Sequence, residues 1–247
     1  MYKEHPSFKT IDDNIKIWRF MDIAKFVSLL EKKSLFFSKP SNFKDPWEGY
    51  FTKRHYDSRS YENLSKEIGN EMISSAKKTT EMVREEVGVN CWHINDCESE
   101  AFWRLYSNKG IVIQSTFGRL KKSFNVDSVR SIYIGTIEYK DPDVDLVNLE
   151  NMFNAILWKR KSFSYENELR AVIWSRENRD GKGPVPFETS RGQFIPIDIN
   201  TLVENIHTSP FEKDNWFNKL VIDIIKRYGY DFVCNRSTLL DHPDKRL

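Results

Sequence analysis

The sequence is short of the features that mark membrane-spanning and secreted proteins. Its 247 residues include only three cysteines, and nowhere do about 18 apolar residues follow one another, as a membrane span requires. The segment 1–16 carries no apolar run of the kind found in signal peptides. An odd number of cysteines in a chain of this length indicates reduced thiols rather than a disulfide framework. We therefore expect a cytoplasmic protein that does not engage a membrane.

An excess of one charge is also missing. The 38 basic and 36 acidic residues leave a formal net charge of +2. A protein that covers nucleic acid with a broad face is usually far more basic, so that class is excluded, although a local basic patch is not. The 17 Phe, 10 Tyr and 7 Trp residues can bury a core of ordinary size, which excludes general disorder.

Several catalytic motifs are absent as well. The Gly-Lys-Gly of residues 181–183 lacks the spacing of a phosphate-binding Walker loop. There is no Gly-x-Ser-x-Gly elbow and no His-Glu-x-x-His zinc motif. The chain is therefore not recognisable as a P-loop nucleotidase, an α/β-hydrolase or a zinc protease of those types.

The hydrophobic pattern mixes strands and helices without a regular βαβ period, which predicts an α+β fold. We expect a mixed, mainly antiparallel sheet with surrounding helices, in a single domain over residues 1–247 with a peripheral helical insertion at about 57–88. Strands are predicted at 15–20, 35–38, 89–94, 110–116, 132–139, 169–174, 194–199 and 231–234, and helices from about 22 and at 60–87, 99–106, 145–160 and 214–228.

The densest group of chemically capable residues is Tyr165-Glu166-Asn167-Glu168-Leu169-Arg170. On an extended backbone Glu166 and Glu168 project from one face, because side chains alternate along a strand. One interpretation is a solvent-facing edge on which Arg170 pairs with a glutamate. The other is a carboxylate that stabilises a developing positive charge, as in cleavage of glycosidic bonds through an oxocarbenium-like state.

Two further groups lie earlier in the chain. Ser99, Trp103 and Tyr106 share one side of a predicted helix, where the two rings either pack in the core or form a stacking wall for a planar ligand. Ser115 and Thr116 end a predicted strand and offer hydroxyl groups there.

Taken together, these residues resemble a family of uncharacterised bacterial proteins that is defined as a domain of unknown function. The resemblance covers roughly residues 15–175 and lies in the combination of short motifs rather than in any one of them. These are Trp18-Arg19-Phe20, the Phe-x-Asp-Pro-aromatic-Glu loop of Phe43 to Glu48, Cys91-Trp92, Trp103 to Tyr106 followed by Gly110, and Tyr165 to Arg170.

More distantly, the chain resembles ADP-ribosyltransferases in the order Arg19, then Ser115-Thr116, then Glu166-Asn167-Glu168. The resemblance implies NAD as substrate. Glu168 would bind the ribose hydroxyl beside the bond that breaks, and Glu166 would orient or deprotonate an acceptor. The Ser-Thr piece lacks the usual aromatic-x-Ser-Thr-Ser form of these enzymes, and the spacing is loose.

The same resemblance implies a set of NAD-binding residues. Arg19 would hold the ribose or the phosphates through its planar guanidinium. Ser115 would support the nicotinamide end, Trp103 or Tyr106 would stack on a ring, and Arg170 belongs to the same set. The expected protein transfers ADP-ribose to a macromolecule, protein or nucleic acid, in a bacterial toxin or phage-defence system, with a partner or antitoxin protein as a further expectation.

Other functions remain open at this point. Glu138-Tyr139-Lys140 with Asp127 upstream imitates a metal-dependent nuclease motif, although such tripeptides also occur on exposed strand edges. Cys91, His93 and Cys97 could supply three zinc ligands, but structural zinc needs a fourth and paired cysteine spacing. We therefore predict buried thiols and no metal. The polar helix 60–87 is either a solvated face or the contact surface of a non-catalytic binding or sensor module.

Overall fold

The computed structural model describes residues 1–107, 109–126, 130–177, 183–212 and 215–245. The chain divides into two compact units, each assembled from separate stretches of sequence. The first unit comprises Met1–Thr10, Phe36–Cys91 and Ser128–Phe194, and the second comprises Ile11–Leu35, Trp92–Asp127 and Ile195–Leu247. Two sequence features, Asp127 and the loop residues 180–182, lie outside the described residues.

The fold is α+β, as the hydrophobic pattern predicts. The helices are α1 Ile23–Lys32, α2 Lys66–Glu86, α3 Glu100–Tyr106, α4 Phe117–Ser123, α5 Ile199–Leu202 and α6 Trp216–Arg227. The strands are β1 Lys16–Met21, β2 Ser34–Ser38, β3 Val87–Ile94, β4 Ile111–Thr116, β5 Tyr133–Thr136, β6 Glu138–Lys140, β7 Trp158–Arg160, β8 Glu168–Trp174, β9 Gly192–Pro196, β10 Asn205–Thr208 and β11 Cys234–Arg236.

Strand pairing is mixed and mainly antiparallel, which confirms the predicted fold class. The pairs β1–β3, β1–β4, β4–β10, β2–β3 and β5–β8 are antiparallel. Only β10–β11 and β6–β7 are parallel among the described pairs of known register. None of the described helices is both long enough and apolar enough to cross a membrane.

In the first unit, β8 pairs with β5 and with β3. The long helix α2 is preceded by Ser65, whose side chain caps it by accepting a hydrogen bond from the amide of Ile68. Only a thin stripe of α2 is buried, and it includes Ala76, Thr80 and Val83. Ala76 and Val83 of this stripe belong to the same apolar cluster as Val172 of β8. The predicted helical segment at 57–88 is therefore anchored on one face and polar on the others.

In the second unit, β1 pairs with β4 on one side and with the end of β3 on the other. Asp22 caps α1 by accepting from the amide of Lys25. Side chains alternate between the two faces of β1, so Trp18 and Phe20 share one face and Arg19 lies on the other. Helix α3 packs on the Trp18 and Phe20 face, where the rings of Phe20 and Trp103 meet edge to face at 5.1 Å.

The predicted helix at 145–160 is wrong. The chain instead forms a 3-10 turn at Met152–Ile156 and then strand β7. Two asparagine side chains stabilise the alternative: Asn148 Oδ1 accepts from the amide of Glu150, and Asn151 Oδ1 accepts from that of Phe153. Such local bonds compete with the α-helical ladder, so apolar spacing at i and i+4 did not produce a helix here.

Candidate functional site

The centre of the candidate site is Arg170, whose side chain is fully buried on β8 in the first unit. Its Nε donates to Glu168 Oε1 at 2.8 Å, and its Nη2 donates to Glu168 Oε2 at 3.1 Å. Nη2 also donates to Glu48 Oε1 at 2.9 Å, and Nη1 donates to the carbonyl of Ile156 at 2.7 Å. One guanidinium thus holds two carboxylates in fixed positions, as its planar fork allows.

A second cation, Lys159 of β7, completes the cluster. Its Nζ donates to Glu166 and lies 3.3 Å from Glu48 Oε1 and 3.6 Å from Glu168 Oε2. Glu48, Glu166 and Glu168 are exposed by only 3%, 7% and 5%. We call Glu48, Lys159, Glu166, Glu168 and Arg170 the buried charge cluster.

Carboxylates outnumber cations in the buried charge cluster by three to two, so it carries one net negative charge. In addition, Glu48 Oε2 is buried and makes no hydrogen bond among the described residues, although Arg170 Nη1 lies 2.9 Å from it. Burying charge is costly unless it is paired, so a surplus carboxylate in this place requires an explanation. A surplus of this kind can stabilise a positive charge that forms close by.

The cluster keeps Glu168 ionised. Burial alone would raise the pKa of the Glu168 carboxyl, but the charges of Arg170 and Lys159 outweigh burial and lower it from 4.5 to about 2. In return, although burial opposes the charged form of Lys159, the carboxylates of Glu168 and Glu48 raise the pKa of its ammonium. Glu168 is therefore an anion throughout the physiological pH range.

Two neutral groups border the cluster. Burial, reinforced by the charge of Glu168, raises the pKa of the Cys91 thiol well above 9.0, so the thiol stays protonated and donates to Glu168. The Tyr139 hydroxyl accepts from the amide of Glu168 at 2.9 Å, and burial raises its pKa too. Neither group is a nucleophile at neutral pH.

The cluster assembles several motifs that are far apart in the sequence. Glu48 ends the loop that begins at Phe43, and the Phe43 ring lies 5.9 Å from the Arg170 guanidinium. In the same loop Asp45 pairs with Arg160 at 2.9 Å. The Phe-x-Asp-Pro-aromatic-Glu loop, the cysteine of Cys-Trp and the Tyr-Glu-x-Glu-x-Arg segment therefore meet at one place in the first unit.

Two expectations about the acidic segment are wrong. Glu166 does not lie on a strand with Glu168, because it ends a 3-10 turn, and Asn167 then adopts a left-handed conformation with φ of 37°. The segment is also not a solvent-facing edge, since both carboxylates and Arg170 are buried. The two carboxylates nevertheless converge, because both reach Lys159.

The remaining predicted site residues belong to the second unit. Arg19 and Ser115 lie on the same face of the β1–β4 pair, since Ile17 is directly opposite Ser115. The Arg19 guanidinium lies 5.8 Å from the centre of the Trp92 ring. Ser115 is fully buried, and its hydroxyl donates to the carbonyl of Leu202 at 2.5 Å.

The two predicted stacking residues differ in exposure. Trp103 is fully buried on the face opposite to Arg19 and Ser115, and its indole N–H donates to Glu98 Oε2 at 2.9 Å. Tyr106, at the end of α3, is 47% exposed. The structure therefore does not bring Trp103 to the face that carries Arg19 and Ser115, and Tyr106 is the ring that solvent can reach.

The metal-site alternatives gain little from the geometry. Glu138 lies on β6 with a largely exposed side chain and pairs with Lys140 at 2.7 Å. Among the residues that the structure describes, no three His, Cys, Asp or Glu side chains are grouped to hold a metal ion.

Sequence reasoning did not count Glu48 and Lys159 among the site residues. Glu48 was visible only as the last residue of a loop motif. Lys159 had no signal of its own, because a lysine in a Trp-Lys-Arg tripeptide resembles any surface lysine. A buried Glu-x-Glu-x-Arg segment has more carboxylates than cations, and this imbalance is the one clue that a second cation was needed.

A comparison of the chain with protein-family models, with curated proteins and with solved structures gives no match.

Proposed function

We propose that the chain is a cytoplasmic, NAD-dependent ADP-ribosyltransferase-like enzyme, of a bacterial toxin or phage-defence system, that cleaves the nicotinamide–ribose bond and transfers ADP-ribose to a macromolecule. The observation that carries the proposal is the surplus carboxylate of the buried charge cluster. An ionised Glu168 in a cluster that holds three carboxylates and two cations suits a reaction whose transition state is an oxocarbenium cation.

In this mechanism the bond between nicotinamide and the ribose carbon breaks, and the electron pair leaves with nicotinamide. Glu168 stabilises the positive charge that develops on the ribose. The acceptor then attacks the same carbon and loses its proton, for which Glu166 is the base. The roles of Arg19, Ser115 and Arg170 in holding NAD remain predictions of the resemblance. Tyr106 is the better candidate for the stacking ring, because it is exposed and Trp103 is buried.

The test is release of nicotinamide from labelled NAD by the purified protein, alone and with cell extract or RNA. We expect turnover by the wild type and at least a hundredfold loss in Glu166→Gln and Glu168→Gln, as for removal of a transition-state contact. Glu138→Gln is the matched control, because it makes the same change at an exposed carboxylate of the same unit. Circular dichroism of each variant shows whether lost turnover reflects lost structure.

Two results would refute the transferase assignment: no nicotinamide release by folded wild-type protein, or full turnover by a folded Glu168→Gln variant. Cleavage of nucleic acid that depends on a divalent metal, is lost in Glu138→Gln and does not use NAD would instead indicate a nuclease.

One observation favours a second candidate, a non-catalytic binding or sensor module. Both oxygens of Glu168 already accept from Arg170, which also donates to Glu48 and to the carbonyl of Ile156. In that role the cluster holds the fold together and the protein acts through a partner. This candidate predicts no NAD turnover under any condition and a marked loss of stability in Glu168→Gln.

A further inference from the structure

A small cleft lies between α2 and the segment 50–56 of the first unit, and no side chain of the buried charge cluster lines it. Its volume is about 230 Å³, which is below the roughly 300 Å³ of typical drug-sized sites. The residues that line it are Tyr50, Tyr56, Lys77, Thr80, Glu81, Arg84 and Glu85. We call this the tyrosine cleft. Its size limits an occupant to about one ring with a short side arm.

One wall of the tyrosine cleft is aromatic and held in place. The rings of Tyr50 and Tyr56 meet edge to face with centroids 6.5 Å apart. The Tyr56 hydroxyl shares a hydrogen bond with Thr80 Oγ1 and accepts from the amide of Phe51 at 3.1 Å. A preformed aromatic wall of this kind offers a flat ligand ring a packing surface with little entropy to lose on binding.

Arg84 fixes the other ring of the wall. Its guanidinium stacks over Tyr50 at 4.7 Å from the ring centre and donates to the carbonyl of Glu48. Gly49 makes this approach possible: its φ is +79°, and an added Cβ would come within 2.8 Å of Arg84 Cγ. The arginine therefore holds its place without a carboxylate partner within ion-pair distance among the described residues.

The charge that lines the tyrosine cleft favours an anion. Lys77 and Arg84 are cations without an ion-pair partner in the described part of the chain, whereas Glu85 pairs with Lys39 at 3.0 Å. Glu81 is the one remaining carboxylate of the lining. With Glu85 neutralised by Lys39, the two cations of the lining face one unpaired carboxylate, and this balance favours an anionic ligand over a cationic one.

We propose that the tyrosine cleft binds a small aromatic anion, a single ring that carries a carboxylate. The ring packs against Tyr50 and Tyr56, and the carboxylate lies at Lys77. This chemistry is met by a free aromatic acid and by a C-terminal aromatic residue of a peptide. The site is independent of the transferase proposal, because it involves no catalytic carboxylate and no NAD.

The experiment is isothermal titration calorimetry of the full chain with 3-phenylpropionate, its neutral amide, and hexanoate. We expect millimolar binding of the aromatic acid and clearly weaker binding of the other two compounds, which lack the charge or the ring. Tripeptides ending in phenylalanine, with a free or an amidated carboxyl end, distinguish the peptide source from the free acid.

A matched pair of variants tests the position. Lys77→Gln should weaken binding of the acid about two- to fivefold, as for an exposed ion pair, and the loss should shrink in high salt. Lys78→Gln removes a neighbouring exposed lysine that does not line the cleft, and it should leave binding unchanged. The proposal is overturned if the acid and the amide bind with equal affinity, or if the two substitutions have equal effects. It is also overturned if no binding is seen with 10 mM ligand, a concentration roughly ten times a millimolar dissociation constant.

Discussion

Two regions of the chain keep polar groups away from water by opposite means. In the buried charge cluster of the first unit, two cations hold three carboxylates through ion pairs and leave one carboxylate in surplus. On the aromatic face of the second unit, Trp18, Phe20, Trp103 and Val112 form an apolar group. Its polar contacts include the indole N–H groups of Trp103, which donates to Glu98, and of Trp18, which donates to the carbonyl of Asn95. The first region depends on the identity of its charges, whereas the second depends on shape.

The largest expected difference comes from removing a charge without removing volume. Arg170→Met should lower the free energy of unfolding by about 3–5 kcal/mol, because Glu48 and Glu168 would remain buried and uncompensated. Urea denaturation measures the change. Arg176→Met is the control, since Arg176 is exposed where it pairs with Glu86 and its loss should cost much less stability. Equal losses in the two variants would contradict the assigned role of the cluster.

Acid should destabilise the first region within a defined range of pH. The pKa of Glu168 is lowered from 4.5 to about 2 in the folded protein, so its contribution is present above pH 4.5 and is lost as the pH falls toward 2. The expected loss is roughly 2–4 kcal/mol. Urea unfolding from pH 7 to pH 2.5 measures it, and NMR titration of ¹³C-labelled glutamate identifies the carboxyl. A Glu168 signal that titrates near 4.5 would exclude this explanation.

The second region should respond to shape. Trp103→Phe keeps a ring but removes the indole N–H that Glu98 accepts, and we expect a loss of about 1–2 kcal/mol in the free energy of unfolding. Trp216→Phe makes the same substitution in the same unit at a side chain that is 57% exposed, and it should change stability by less than about 0.5 kcal/mol. Thermal unfolding measures the stability of both variants. Equal losses of stability would mean that the hydrogen bond from Trp103 to Glu98 does not stabilise the fold.

The smallest effect concerns a histidine of the second unit. Burial lowers the pKa of His207 below 6.5, an effect that Glu98 at 3.7 Å only partly offsets. Its contribution to stability is therefore present above pH 6.5 and declines as the pH falls below that value. His207→Gln should flatten the dependence of unfolding free energy on pH between 7.5 and 5.5. The change in unfolding free energy over this range should be smaller than the loss caused by Trp103→Phe. An unchanged slope would refute the prediction.

The sequence was sufficient for much of the fold because several signals act locally. Apolar residues at helical spacing from about residue 22 predicted α1, and the structure confirms the helix and shows Asp22 as its cap. Where local signals competed, the prediction failed. The asparagines at 148 and 151 favour turns, and they outweighed a helix-like apolar pattern over 145–160.

The candidate site was predictable only in part. Glu166, Glu168 and Arg170 are adjacent in sequence and could be grouped by inspection. Their partners could not be, because Glu48 joins them from a distant loop and Lys159 from a short strand whose pairing no local pattern indicates. Burial was the other missing fact, since a run of charges normally indicates exposure, and only tertiary structure reveals the cations that make burial tolerable.

The separation of Glu48 and Arg170 has a consequence for synthesis on the ribosome. The two residues are 122 positions apart, and a chain that grows by about 5–20 residues per second needs on the order of ten seconds to travel between them. During that interval the loop that ends at Glu48 has neither of its cations, because Lys159 also emerges late. Nascent chains stopped before residue 159 should therefore remain open to protease in this loop, and protection should begin only after Arg170 has left the exit tunnel.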